Sequence, residues 1–188
     1  GSTGNAGKIQ ITTQQLNLLG GKEIGSNTFS SGKGGTIEIN VAGDINVTQS
    51  AITTSSVSTE RLAGQGGTIS IQAQNLKLTE GGQIGSNTAG EGQGGQVIIQ
   101  VAGNVTLDGY IVIDDIHSSI ISSVTQGAGN AGTIELTAHS LNVDRGAGIG
   151  SVTFGTGHGG QVILHVTDQV KVSGSETING EKVNSEIS

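Results

Sequence analysis

Cysteine, methionine, proline and tryptophan are absent from this chain of 188 residues, and aromatic residues make up only 2% of it. Without cysteine there can be no disulfide, no thiol nucleophile and no thiolate metal site, a condition compatible with the cytosol or the exterior. Apolar residues reach 32%, below the roughly 45–50% of an ordinary globular domain. A compact globule built from them would have too little core. Charged residues are equally sparse at 12%, with a net charge of −7 and no block of like charge. That excludes the basic stripe on which nucleic-acid binding depends. No apolar run is long enough to span a bilayer as a helix, and no signal-peptide pattern is present. Nothing in these residues shows export directly. The 34 glycines have no G-X-Y period, so the chain is not collagen-like.

What the sequence does have is a repeat. A Gly-Gly or Ala-Gly pair followed by a short β-forming run occurs six times, from Ala6-Gly7-Lys8-Ile9-Gln10-Ile11 to Gly159-Gly160-Gln161-Val162-Ile163-Leu164. The second glycines are Gly7, Gly35, Gly67, Gly95, Gly132 and Gly160, spaced by 28, 32, 28, 37 and 28 residues. A period in this range marks a solenoid. A thin coil stacked on copies of itself needs only a few inward residues per turn, so the period and the poor apolar content agree.

The repeats alternate between two kinds. Those beginning at Gly7, Gly67 and Gly132 align without a gap and carry alternating apolar residues, as in Ile9 and Ile11, Leu16 and Leu18, then Ile24. Those beginning at Gly35, Gly95 and Gly160 have a longer first run, such as Ile37, Ile39 and Val41, then a corner such as Ala42-Gly43-Asp44. Alternation of this kind describes half-buried strands, three per coil. The expected fold is all-β: a right-handed, single-stranded parallel β-helix of about six coils of three short strands. Right-handed winding is the default for parallel crossovers. Six coils at the strand spacing give a rod of roughly 29 Å. One continuous solenoid is expected over residues 1–174, followed by an irregular polar tail or incomplete coil over 175–188. The chain opens in mid-repeat without a polar cap at either end, so it reads as a piece of a longer solenoid.

The corner glycines Gly35, Gly67, Gly95, Gly132 and Gly160 have a structural reading, positive φ at a tight corner. A phosphate-cradling loop would need a strand before it and a helix after it, and here strands lie on both sides.

The motifs Gly-Asn-Ala-Gly-Thr-Ile-Glu-Leu (129–136) and Gly-Ala-Gly-Ile-Gly-Ser-Val-Thr-Phe-Gly-Thr-Gly-His-Gly-Gly (146–160) resemble the repeats of filamentous-haemagglutinin-like exoproteins. These are large bacterial adhesin and fibre proteins exported by two-partner secretion. The resemblance covers residues 4–174. It implies a right-handed parallel β-helix in a secreted or cell-surface protein. The family's amino-terminal secretion domain has no counterpart in these residues.

Two constellations could carry chemistry. Ser26-Asn27-Thr28, Ser86-Asn87-Thr88 and Ser151-Val152-Thr153 form a hydroxyl row, which on an outer face could order water as in ice-binding solenoids. If Ile24, Ile84 and Ile149 point inward, however, the Ser and Thr do too, and an internal ladder bonded between coils is the better account. The largest insertion, between Asp108 and Gly129, holds Tyr110, Asp114, Asp115 and His117. Aligning the second strands puts Asp108 one coil from Asp144, with Arg145 beside it. Pectate-lyase-type enzymes combine this fold with acids for calcium and a basic residue to abstract a proton. Residues Asp108, Tyr110, Asp114, Asp115, His117, Asp144 and Arg145 are therefore the candidate ligand or partner contacts, on a protruding solvated loop. His139, His158 and His165 stand singly, without metal-ligand spacing. No Gly-x-Ser-x-Gly elbow stands in the strand–turn–helix setting it requires. Phe29 and Phe154 share a slot and are expected to form a stacking or corner-filling column rather than a sugar platform.

The expected function is a rigid structural or adhesive module of an exoprotein. No catalytic residue, cofactor or metal is expected, nor any nucleic-acid partner. The expected contacts are carbohydrate or a host or cell-surface protein, and end-to-end self-association through open terminal coils. The rival reading is a polysaccharide lyase or hydrolase on the same scaffold, with an ice-binding protein third.

Overall fold

A computed structural model describes residues 4–58, 64–112, 116–178 and 181–188. The candidates Asp114 and Asp115 lie outside the described residues. The first coil is β1 (Lys8–Thr13), β2 (Leu16–Leu19) and β3 (Glu23–Gly25). The second is β4 (Thr36–Val41), β5 (Asp44–Thr48) and β6 (Ala51–Ser56), and the third β7 (Thr68–Ala73), β8 (Asn75–Thr79) and β9 (Gln83–Thr88). In the fourth, β10 (Gln96–Val101) and β11 (Asn104–Asp108) are followed by a hairpin, β12 (Tyr110–Val112) and β13 (Ile116–Ser118), before β14 (Ile120–Thr125). The fifth is β15 (Thr133–Asp144) and β16 (Gly148–Thr153). The sixth is β17 (Gln161–Val172), a second hairpin of β18 (Ser175–Ile178) and β19 (Glu181–Asn184), and β20 (Glu186–Ile187).

Equivalent strands stack in parallel and in register. The chain is an all-β solenoid: six rungs joined by about five turns, with backbone bonds running along the axis. The first column is Ile9, Ile37, Ile69, Val97, Ile134 and Val162. A second runs from Leu16 through Ile45, Leu76, Val105 and Leu141 to Val170. The third runs from Ile24 through Ile52, Ile84, Ile121 and Ile149 to Ile187. In the inner rungs these side chains are buried, and together they form one core.

The alternation of coil types has a geometric cause. Register fixes three residues from Thr13 to Leu16 but four from Val41 to Ile45, so even coils carry one extra residue at the first corner. The same excess appears as a bulge where Thr167 and Asp168 face His139, between Ala138↔Val166 and Ser140↔Gln169. At the second corner the difference reverses: four residues from Leu19 to Glu23, three from Thr48 to Ala51. The two offsets cancel, and the third strands fall back into register.

Five expectations are corrected. First, the glycines Gly35, Gly67, Gly95, Gly132 and Gly160 do not take positive φ; Gly20, Gly21, Gly81, Gly109, Gly146 and Gly174 do. Gly35 and its equivalents are needed for close approach instead. A Cβ on Gly95 would lie closer than 3.0 Å to the Gly67 carbonyl below and to the Ser86 hydroxyl, and the same holds for Gly160 against Gly132 and Ser151. Second, Ser26, Thr28, Ser86, Thr88 and Ser151 are buried as expected, but the ladder runs mostly across the coil. Ser26 Oγ donates to the Gly7 carbonyl (2.7 Å), Ser86 to Gly67 (3.0 Å) and Ser151 to Gly132 (2.8 Å). Between coils, Thr54 Oγ1 donates to Ser86 Oγ at 3.1 Å. Third, Phe29 and Phe154 fill no corner; they are 81% and 75% exposed, because the strand alternation that buries Thr28 turns its neighbour outward. Fourth, of the irregular polar tail or incomplete coil expected over 175–188, the described residues 175–178 and 181–188 are not an irregular tail. They form the second hairpin and return as β20 to pair with β16, through Glu186↔Gly148 and Ile187↔Ile149. Fifth, the insertion after Asp108 is a hairpin rather than a loop, with Ile111 opposite His117.

Candidate functional site

The two hairpins leave the solenoid at the same place, two rungs apart. Gly109 and Gly174, with φ of 70° and 79°, turn the chain outward, a conformation that suits glycine. The Ser119 amide donates to the Gly109 carbonyl at 2.9 Å, and the Ser185 amide to that of Gly174 at 3.2 Å, closing each neck. Each neck serine then accepts from the corner of the coil before: Gly81 N–H to Ser119 Oγ (3.2 Å), and Gly146 N–H to Ser185 Oγ (3.0 Å). Ile111 and His117 lie over Gly81, and Val183 lies over Gly146. Both hairpins are thus folded back against the preceding coil.

Beside their necks lies a polar cleft of about 440 Å³ that reaches from rung three to the second hairpin, lined by Lys77, Thr79, Glu80, Asp108, Gly109, Tyr110, Arg145 and Glu176. Asp108 and Asp144 stand opposite each other on adjacent rungs, as the strand alignment predicts. Arg145 follows at a corner where its φ is 51°, an unusual conformation for a residue with a side chain. From there its guanidinium reaches back one rung and grips Asp108 with two hydrogen bonds, Nε to Oδ1 at 2.6 Å and Nη2 to Oδ2. This is a fork-on-fork pair. The Asp108 hydrogen bond and charge hold the Arg145 guanidinium above its ordinary value, with smaller contributions from Asp144 and Glu176. It is a permanent cation.

Asp144 is turned to structural work. Its Oδ1 accepts from the Arg145 amide (2.9 Å) and from Ser173 Oγ (3.1 Å), fixing the corner below the second hairpin. His117 faces away from the cleft. It lines a smaller recess on the far side of its hairpin, with Ile111, Lys22, Glu23, Gln49 and Gln83. Of the candidates, then, Asp108, Tyr110 and Arg145 share the cleft; Asp144 braces its edge and His117 belongs elsewhere. The sequence reading missed Lys77, Glu80 and Glu176. Glu176 was legible in principle, because Gly174 followed by Ser185-Glu186-Ile187 repeats the pattern of Gly109 followed by Ser119-Ile120-Ile121.

Among the described residues no group of three or more His, Cys, Asp or Glu side chains is placed to hold a metal ion. The His139 ring sits 3.1 Å from Thr167 Oγ1. Compared with family models, curated proteins and solved structures, the chain matches none.

Proposed function

We propose that this chain is a structural and adhesive segment of a secreted or cell-surface bacterial exoprotein, a rigid spacer with binding groups on its flank. The observation that carries this reading is the unbroken core. Columns of aliphatic side chains pack into one core, through all six rungs in the first and third columns and from Leu16 to Leu141 in the second, so the molecule transmits position along its axis without a hinge. The filamentous-haemagglutinin-like character of its repeats supports a place in that class of exoprotein, and the hairpins supply the variable elements through which such a rod contacts a partner.

The reading makes a dimensional demand. In a covalent tandem of two copies, the maximum dimension measured by small-angle X-ray scattering should rise by roughly 29 Å over one copy, six strand spacings, at constant cross-section. A tandem that collapses into a globule of larger cross-section defeats the spacer reading. Surface placement is checked separately: antibodies to the solenoid should label intact cells of the producing organism.

A lyase or hydrolase reading draws on Asp108, Asp144 and Arg145 lying together. It is less well supported, because Arg145 Nε and Nη2 are committed to Asp108 and Asp144 Oδ1 is committed to backbone and Ser173. Screening for oligosaccharides released from acidic polysaccharides decides it; release that is lost in Asp108→Ala establishes the enzyme.

A further inference from the structure

The cleft beside the hairpin necks has the chemistry of a built site. We propose that it binds a neutral oligosaccharide, an inference that rests on the adhesive reading above and gives it a ligand class.

Length comes first. The two hairpins leave rungs four and six, so their necks are two strand spacings apart, about 10 Å. The lining continues past the first neck to Lys77, Thr79 and Glu80 of rung three, so the cleft runs over about three strand spacings, roughly 14 Å, long enough for an extended chain of two or more sugar rings.

Charge narrows the choice further. Two cations, Lys77 and Arg145, face three carboxylates, Asp108, Glu80 and Glu176. There is no positive excess to hold a sulfated or phosphorylated polymer. A divalent cation would meet Arg145 against Asp108 in the same space. A neutral ligand faces neither penalty.

Hydrogen bonding then favours hydroxyl groups. The lining alternates acceptors and donors over a short distance, and each sugar hydroxyl both donates and accepts. The Asp108–Arg145 pair presents a flat polar floor that is already ordered, and the necks at Ser119 and Ser185 hold both walls. Little ordering is therefore left to do on binding. Lys77 and Tyr110 hydrogen-bond to no described residue through their side chains. The Tyr110 ring offers the C–H face of a sugar an aromatic surface.

The recess beneath the first hairpin supplies an internal control. It lies on the far side of that hairpin and is lined by Gln49, Gln83, Ile111 and His117, with neither Arg145 nor Asp108 in it.

The test is a titration of the ¹⁵N-labelled chain with cellohexaose, xylohexaose, maltohexaose and chitohexaose, with a heparin hexasaccharide alongside, followed by amide chemical shifts. At least one neutral probe should shift Gly109, Tyr110, Arg145 and Glu176 and leave Lys22 and Gln83 in place. Tyr110→Ala and Glu176→Gln should each weaken that binding roughly tenfold or more, with the circular dichroism melt unchanged. Absence of shifts with all four neutral probes at about 10 mM, a concentration that populates even millimolar complexes, overturns the proposal. So do shifts confined to other surfaces, or preferential binding of heparin. The spacer reading survives each of those results, because the tandem's dimensions test it independently.

Discussion

Gly95 has an ordinary backbone conformation and still cannot be replaced. Its Cα faces the Gly67 carbonyl of the rung below and the Ser86 hydroxyl of its own neighbourhood, and the first of these is backbone that has nowhere to go. Gly95→Ala should therefore destabilise the fold by about 3 kcal/mol, the upper range for overpacking a tight interior. Gly7→Ala, at the open end where nothing lies within 4 Å, should stay within about 0.5 kcal/mol of the parent. Urea unfolding followed by circular dichroism measures both. Adding Ser86→Ala to Gly95→Ala removes the side-chain clash but leaves the carbonyl, so it should not restore stability. On its own Ser86→Ala should cost about 1 kcal/mol, because it removes the donor to the buried Gly67 carbonyl. The positions of these glycines were legible in the sequence, since a glycine that returns at the same place in all six repeats marks a point where a side chain does not fit. Their reason was not. Local geometry suggests positive φ for any glycine at a corner, whereas close approach between rungs depends on what lies above and below.

At the scale of elements, the hairpins behave as additions to a complete coil. Coil two passes from Thr48 through Gln49, with φ of 51°, to Ser50 and Ala51. Coil four passes from Asp108 through Gly109 into β12 and β13, and resumes at Ser119 and Ile120. Removing Tyr110–Ser118 leaves Asp108-Gly109-Ser119-Ile120, which matches the shorter corner residue for residue. The shortened chain should fold with its urea stability within about 1 kcal/mol of the parent, since an isolated three-residue hairpin has little stability of its own and a surface loop's length costs little. Loss of the β-sheet circular dichroism signal in that variant would mean that the hairpin is part of the coil. The strands were readable from period-2 alternation, and the Asp108–Asp144 pairing from aligning them. The second hairpin was not readable. Its strands, such as Ser175–Ile178, have no apolar alternation, because a hairpin held by its neck and one contact over Gly146 buries little. For the same reason Glu176 escaped notice as a wall of the cleft.

Over the whole molecule, the first and last rungs of these 188 residues govern how copies of the chain meet. Val170 and Val172 stand in the columns of Leu141 and Val143, which are buried, yet they are 48% and 43% exposed. Among the described residues β17 pairs with β15 alone, which leaves its outer edge open. The second hairpin does not cover this end, because it folds back over Gly146 toward the fifth rung. An even coil thus ends the stack and an odd coil begins it, so a second copy placed head to tail continues the alternation of corners without a mismatch. One column opposes the contact. Glu186 ends the series that begins at Glu23, and stacking copies in register sets these two carboxylates opposite each other, an unfavourable pairing. Self-association should therefore be weak at low ionic strength and increase as salt screens the repulsion over a Debye length of about 10 Å at 0.1 M. Glu186→Lys should strengthen it and reverse the salt dependence. Lysine at either Val170 or Val172 should abolish it, since an inward-pointing charge on an edge strand blocks pairing. Sedimentation velocity over a range of concentration and salt measures all of these. Association that persists unchanged in Val170→Lys would place the contact on the flank of the rod and not at its end.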